Sequence, residues 1–203
     1  MLVTIYPDNP NSNLILQAVD VLKNDGVIII PTDTVYALAC SIKSNKAIER
    51  VCRIKGVKLE KANFSFLCDS LSNIADFTKP FSREVYRVMK NSLPGPFTFI
   101  LNASSQVPAI FKSNKKTIGI RVPDNNIALA ILKELGNPLM VTSVHDDDEV
   151  IDYTTDPELI FQKYSSLVDL VIDGGYSDFQ PSTVIDCTTE TPEVVREGKG
   201  KIE

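Results

Sequence analysis

Two apolar, strand-like runs, residues 97–103 and 116–122, follow one another with no helical segment between them. Parallel neighbours need a long crossover, usually a helix, so this adjacency rules out a purely parallel sheet. Elsewhere strands and helices mix. Strand-like runs fall at 27–31, 63–68, 138–143, 168–175, 182–187 and 192–198, and helical patterns at 12–26, 44–56, 82–95, 125–136 and 156–164. The pattern predicts an α/β fold, a mixed sheet with flanking helices, in a single domain over residues 1–203.

Local signals support these elements. Ile15, Ala18, Val19 and Leu22 share one helical stripe, with Ser12 as the expected N-cap and Gly26 as the C-terminal glycine. Ala47, Ile48, Val51 and Cys52 repeat the stripe between Ser44 and Gly56. Asp156 and Pro157 open the last helix. Val27 to Ile30 reads as a buried strand, yet it runs into Pro31 and then Thr32, Asp33, Thr34 and Tyr36. Polar groups massed past a strand end suit either a ligand site or a hydrogen-bonded turn.

Composition excludes several classes. With 43% hydrophobic residues and no apolar run near the roughly 20 of a membrane span, no membrane association is expected. The first residues lack the basic region and long apolar run of a secretion signal, so a cytoplasmic location is expected. Cys40, Cys52, Cys68 and Cys187 show no C-x-x-C spacing, and His145 completes no zinc set, so buried free thiols are expected. A Cys187–His145 pair exists only on paper, since nothing local marks an activated thiol. The phosphate-binding patterns G-x-x-x-x-G-K-[ST] and G-x-G-x-x-G are absent, as is the hydrolase G-x-S-x-G.

Charge is uneven. Residues 43–121 carry a net +10 and residues 122–203 a net −12, within a total of −5. Such blocks suggest one face suited to an anionic ligand, unless the two fields interleave in space. Arg53 and Lys55 sit near a helix C-terminus, where either the helix dipole or a phosphate can use them. Arg121 lies in an apolar run and needs an anion, either a ligand's carboxylate or phosphate or an internal partner such as Asp33 or Asp173. Pro94 to Thr98 forms a stiff corner that can present the Thr98 hydroxyl. Ser182 and Thr183 open a strand, and Arg196 precedes Gly198. The run from Asp146 to Asp152 reads as a solvated acidic loop, without the spacing of a calcium site.

Seven collinear segments, PTDTVYAL, RIKG, PGPFTFIL, TIGIRVP, IDGG, PSTVID and VVREGKG, resemble the YrdC/YciO family of threonylcarbamoyl-AMP synthases and their relatives, nearest its YciO-like branch. The resemblance spans nearly the whole chain. It implies an open α/β twist with a basic concave cavity. It also implies the joining of ATP, L-threonine and bicarbonate into threonylcarbamoyl-AMP, with Mg2+ beside the nucleotide and modified tRNA downstream. Carried onto this chain, the threonine site would comprise Thr32, Thr34, Tyr36 and Arg121, and the nucleotide site Lys55, Thr98, Ser143, Ser182, Thr183 and Arg196. No catalytic residue or metal ligand is implied. Three departures point to a diverged member with weak or altered activity: Val57 for an arginine, Ala37 for a glycine, and Val144 and His145 after Ser143. The alternative within the same family is a protein that binds double-stranded RNA or tRNA without synthase activity. A monomer is expected.

Overall fold

Among the described residues, ten strands form one continuous mixed sheet, and six α-helices pack on its two faces. The computed structural model describes residues 1–62, 64–111, 116–144 and 155–201. The strands are β1 (Leu2–Thr4), β2 (Ile28–Ile30), β3 (Ala37–Ser41), β4 (Ser65–Leu67), β5 (Phe97–Asn102), β6 (Thr117–Arg121), β7 (Leu139–Ser143), β8 (Leu170–Asp173), β9 (Thr183–Asp186) and β10 (Glu193–Arg196). Their spatial order is β1-β8-β2-β3-β7-β4-β6-β5-β9-β10. Strands β5 and β6, adjacent in sequence, pair antiparallel as the missing crossover demands. The β4/β6, β5/β9, β2/β8 and β1/β8 pairs are parallel.

The helices are α1 (Ser12–Lys23), α2 (Asn45–Ile54), α3 (Leu71–Phe77), α4 (Arg83–Ser92), α5 (Asn126–Leu135) and α6 (Pro157–Tyr164). The predicted stripes of α1 and α2 are buried. Both ends of α1 shift: Asn11, not Ser12, accepts from the backbone amides of Asn13 and Leu14, and the C-cap is Asn24 with the left-handed residue at Asp25 rather than at Gly26. Three elements escape the sequence reading. Strand β1 has three residues at a sheet edge, α3 has seven, and β3 is buried on both faces. A strand buried on both faces shows no alternation to read. None of the helices among the described residues is long and apolar enough to cross a membrane.

The two sheet faces hold separate cores. Val27 and Ile29 face a core completed by α2, α4 and α6. Ile28 and Ile30 face a second core made with α1 and α5. This second face matters for function. Its apolar cover takes in Ala37, Leu67 and Val141 and goes no further across the sheet. Leu67 lies opposite Arg121, Gly119 opposite Ile100, and Thr98 opposite Val184, so these residues continue the same face over β6, β5 and β9. Beyond the reach of α1 and α5, that face lines a cavity.

The charged segments interleave. Lys46, Arg50 and Arg121, all from the basic middle, pair with Asp25, Asp169 and Asp33 from outside it. The spatial separation suggested by the sequence is thus partly undone.

Candidate functional site

The cavity has a volume of about 430 Å3. Its floor is the uncovered sheet face just described. Its rim includes Leu59, Glu60, Phe64 and Phe111, and Pro181 stands beside Ser182 on its wall. Gly119 keeps the floor deep, since a Cβ there would stand 2.7 Å from the Ser65 hydroxyl.

Of the expected threonine-site residues, Thr32, Thr34 and Arg121 line this cavity. The turn after β2 folds over the end of β6 and holds the Arg121 guanidinium. The Nη2 nitrogen donates to Thr34 Oγ1 at 2.7 Å, to Thr32 Oγ1 at 3.4 Å and to Asp33 Oδ1. Arg121 is 8% exposed, so this set of acceptors is what makes its burial tolerable. The arginine takes the internal partner foreseen for it, Asp33, and it also lines the cavity. Its Nε and the second Asp33 oxygen, Oδ2, are buried without a partner among the described residues.

Tyr36 departs from expectation. It is fully buried and does not line the cavity. Its hydroxyl donates to the Gly175 carbonyl at 2.7 Å and accepts from the Gly174 amide at 3.0 Å. Burial, first of several causes, pushes the phenol above its usual range. Tyr36 therefore anchors the turn after β8 and stands off the cavity.

The expected nucleotide-site residues divide in the same way. Thr98, Ser143, Ser182 and Arg196 line the cavity. The Thr98 and Ser182 hydroxyls lie 2.7 Å apart, and Arg196 Nη2 donates to the Ser182 carbonyl at 2.7 Å. Burial and then the charge of Arg121 lower the pKa of Arg196, so the two guanidinium groups feel each other. Thr183 points the other way. Strand side chains alternate, and its hydroxyl instead donates to the Gly200 carbonyl at 2.7 Å and accepts from the Gly198 amide at 3.0 Å. Lys55 caps the C-terminal end of α2 and is not among the cavity's lining residues. Its position at the helix end suits the dipole, the structural use foreseen for it.

Sequence reasoning missed one clasp. Lys199 donates to the Asp33 carbonyl at 2.7 Å and pairs with Asp178 at 3.1 Å. The Asp178 amide in turn donates to the Thr34 carbonyl. The segment after β10 thereby ties together two loops beside the cavity. Its only local signal was the glycine-flanked lysine of EGKG. His145 and the acidic run from Asp146 to Asp152 lie outside the described residues. Cys187 is buried, and its thiol is pushed up to about 12 by burial and the nearby Asp186, which removes it as a nucleophile.

The half-covered sheet, with two arginines and a set of hydroxyls lining one cavity, defines an α/β protein with an open pocket on one sheet face. Comparison with known proteins agrees on the fold. A family model, Sua5_yciO_yrdC, described as "Telomere recombination", matches residues 20–198. This chain belongs to the Sua5/YciO/YrdC family. It is 44% identical over 200 residues to "Uncharacterized protein YciO" of Escherichia coli K12, covering 98% of this chain and 95% of that one. The crystal structure of E. coli YciO superposes with a TM-score of 0.91 at 43% identity, over 99% of this chain and 97% of that one. The threonylcarbamoyl-AMP synthase of Bacillus subtilis is 28% identical over 191 residues, covering 93% of this chain and 54% of the synthase. A P. abyssi Sua5 structure, complexed with L-threonine, shares the fold with a TM-score of 0.88 at 23% identity, over 98% of this chain and 57% of that one.

Proposed function

We propose that the cavity binds L-threonine and an adenine nucleotide and supports formation of threonylcarbamoyl-AMP from ATP, L-threonine and bicarbonate, at a reduced rate. The observation that carries this reading is the meeting of two polar sets in one cavity. Arg121 with Thr32 and Thr34 forms one, and Arg196 with Thr98 and Ser182 the other. The first suits the carboxylate and hydroxyl of threonine, the second a phosphoryl group. The related synthases and the threonine-bound Sua5 fold support it. Catalysis on this scaffold rests on holding the reactants together and neutralising charge in a partly dry site.

Magnesium would arrive with the triphosphate. Among the described residues no group of three or more His, Cys, Asp or Glu side chains could hold the ion, so no step is assigned to it.

The test is pyrophosphate release from ATP with L-threonine and bicarbonate, wild type beside Arg196→Ala. Removing one charge-assisted contact in such a site lowers the rate by about ten- to 150-fold. Release that depends on threonine and falls in the variant supports the reading. Release indifferent to threonine, or none above background, overturns it.

A further inference from the structure

The turn after β2 that holds Arg121 is itself held from outside. Within the turn, the Thr34 amide donates to Thr32 Oγ1 at 3.1 Å, and the Thr32 hydroxyl donates to the Val35 carbonyl at 2.7 Å. The carbonyls of Asp33 and Thr34 are taken by other segments. Lys199 Nζ donates to the first at 2.7 Å, and the Asp178 amide donates to the second at 3.1 Å. The Asp178 carboxylate closes the circuit. Its Oδ1 accepts from the Gln180 amide at 2.9 Å, and its Oδ2 meets Lys199 at 3.1 Å. The turn, the loop after β8 and the segment after β10 thus meet on one ammonium group.

Asp33 links that ammonium to the cavity. It offers its carbonyl to Lys199 and its carboxylate to Arg121. A movement of the Asp33 backbone therefore moves the anion that fixes the guanidinium. It also moves the flanking Thr32 and Thr34 hydroxyls, which accept from the same Nη2 nitrogen. Lys199 acts from outside the cavity and is not among its lining residues.

The fold has little need of this charge. The Lys199 side chain is 40% exposed, so its ion pair with Asp178 adds little to stability. The segment that carries it is docked by other bonds. The Lys199 amide donates to the Pro181 carbonyl at 2.9 Å, the Gly198 amide to Thr183 Oγ1 at 3.0 Å, and Arg196 Nη2 to the Ser182 carbonyl at 2.7 Å. Removing the ammonium leaves these bonds, and so Arg196, in place and frees the turn.

From this we infer that Lys199 is a positioning residue for the Arg121 half of the cavity: it sets the turn from Thr32 to Thr34, and through Asp33 the direction of the Arg121 guanidinium. This rests on the function proposed above, in which that half takes L-threonine. Such positioning acts steeply, since a misplacement of about 1 Å costs roughly 100-fold where reacting groups must align.

Calorimetric titration with L-threonine, and separately with ATP and Mg2+, tests the role in the wild type, Lys199→Met and Lys199→Arg. Lys199→Met keeps the length of the side chain and loses the charge. It should weaken L-threonine by about ten-fold and leave ATP nearly unchanged. In pyrophosphate release it should raise KM for L-threonine and spare KM for ATP. Lys199→Arg, which keeps a charged donor, should recover part of the loss. L-threonine binding that Lys199→Met leaves unchanged overturns the inference while the proposed function stands. Equal weakening of both ligands, or a Lys199→Met chain whose circular dichroism shows it unfolded, also overturns it, because the lysine would then support the fold at large. A wild type that binds no L-threonine overturns the proposed function and the inference together.

Discussion

Arg121, which lines the cavity, forms a nearly dry ion pair with Asp33. Their side chains are 10% and 8% exposed, so neither charge is well hydrated. Truncating one partner strands the other charge in a dry site, which costs about 3–5 kcal/mol. Asp33→Ala is therefore expected to lower the stability measured by urea unfolding by that amount. Replacing both residues together with apolar ones of similar size should lose much less, and an equal loss in single and double variants would contradict the account. Both partners were visible in the sequence as an arginine short of a partner and an aspartate in a polar turn. Their pairing was one of several open combinations, because a separation of 88 positions carries no local signal of it. Tyr36 shows the opposite limit. A tyrosine among hydroxyls looks like part of a ligand site, and only the Gly174–Gly175 backbone on the far side of it reveals an anchor.

At the scale of elements, the segment after β10 decides the shape of the polar end. Gly198 sits so close to the strand it covers that a Cβ there would stand 2.3 Å from the Pro181 carbonyl oxygen and 2.6 Å from the Ser182 carbonyl carbon. Both contacts are backbone, so neither can step aside as a flexible side chain would. Gly198→Ala should lift this segment from β9, displacing Arg196 and Lys199 together. The expected outcome is a loss of nucleotide affinity of about ten-fold or more, measured by titration, because one charge-assisted contact is involved. Unchanged affinity would show that the segment only covers the cavity's edge. The glycines of EGKG were legible in the sequence as turn residues, but the close approach that requires Gly198 was not. Capped helices were far more legible. Asp156 and Pro157 open α6, and Ser44 caps α2 through the Ala47 amide, because caps are written within four residues of sequence. Strand β3 was not legible. Its five residues are buried on both faces, and a uniform apolar run lacks the alternation that marks a half-exposed strand.

Across the whole molecule, the two cores leave all four cysteines buried as free thiols. Burial, the largest cause in each case, raises their pKa, and Cys68 and Cys187 are pushed from 9.0 up to about 12. These thiols stay protonated in the folded chain while the unfolded chain ionises near pH 9.0, so the unfolded state binds fewer protons between those values. Stability should be fully present below pH 9.0 and fall as the pH rises from there towards about 12. Urea midpoints measured across that range check the direction, and a midpoint that rises instead would refute it. Alkylation at pH 8 should likewise modify the thiols only after denaturant is added.

By itself the sequence determined which segments become helices and most of the strands, that the sheet must be mixed, and which hydroxyls and arginines were candidates for a site. These follow from periodicity, capping and chain reach, all of which act over a few residues. Only the tertiary structure decided that α1 and α5 cover one part of a sheet face and leave the rest open over β6, β5 and β9. That choice turned Thr98, Ser182 and Arg196 into one end of a cavity, turned Thr183 away from it, and left Lys55 off its lining. The physical reason is that a cavity is the place where packing stops, and where packing stops depends on the whole set of elements competing to cover a sheet.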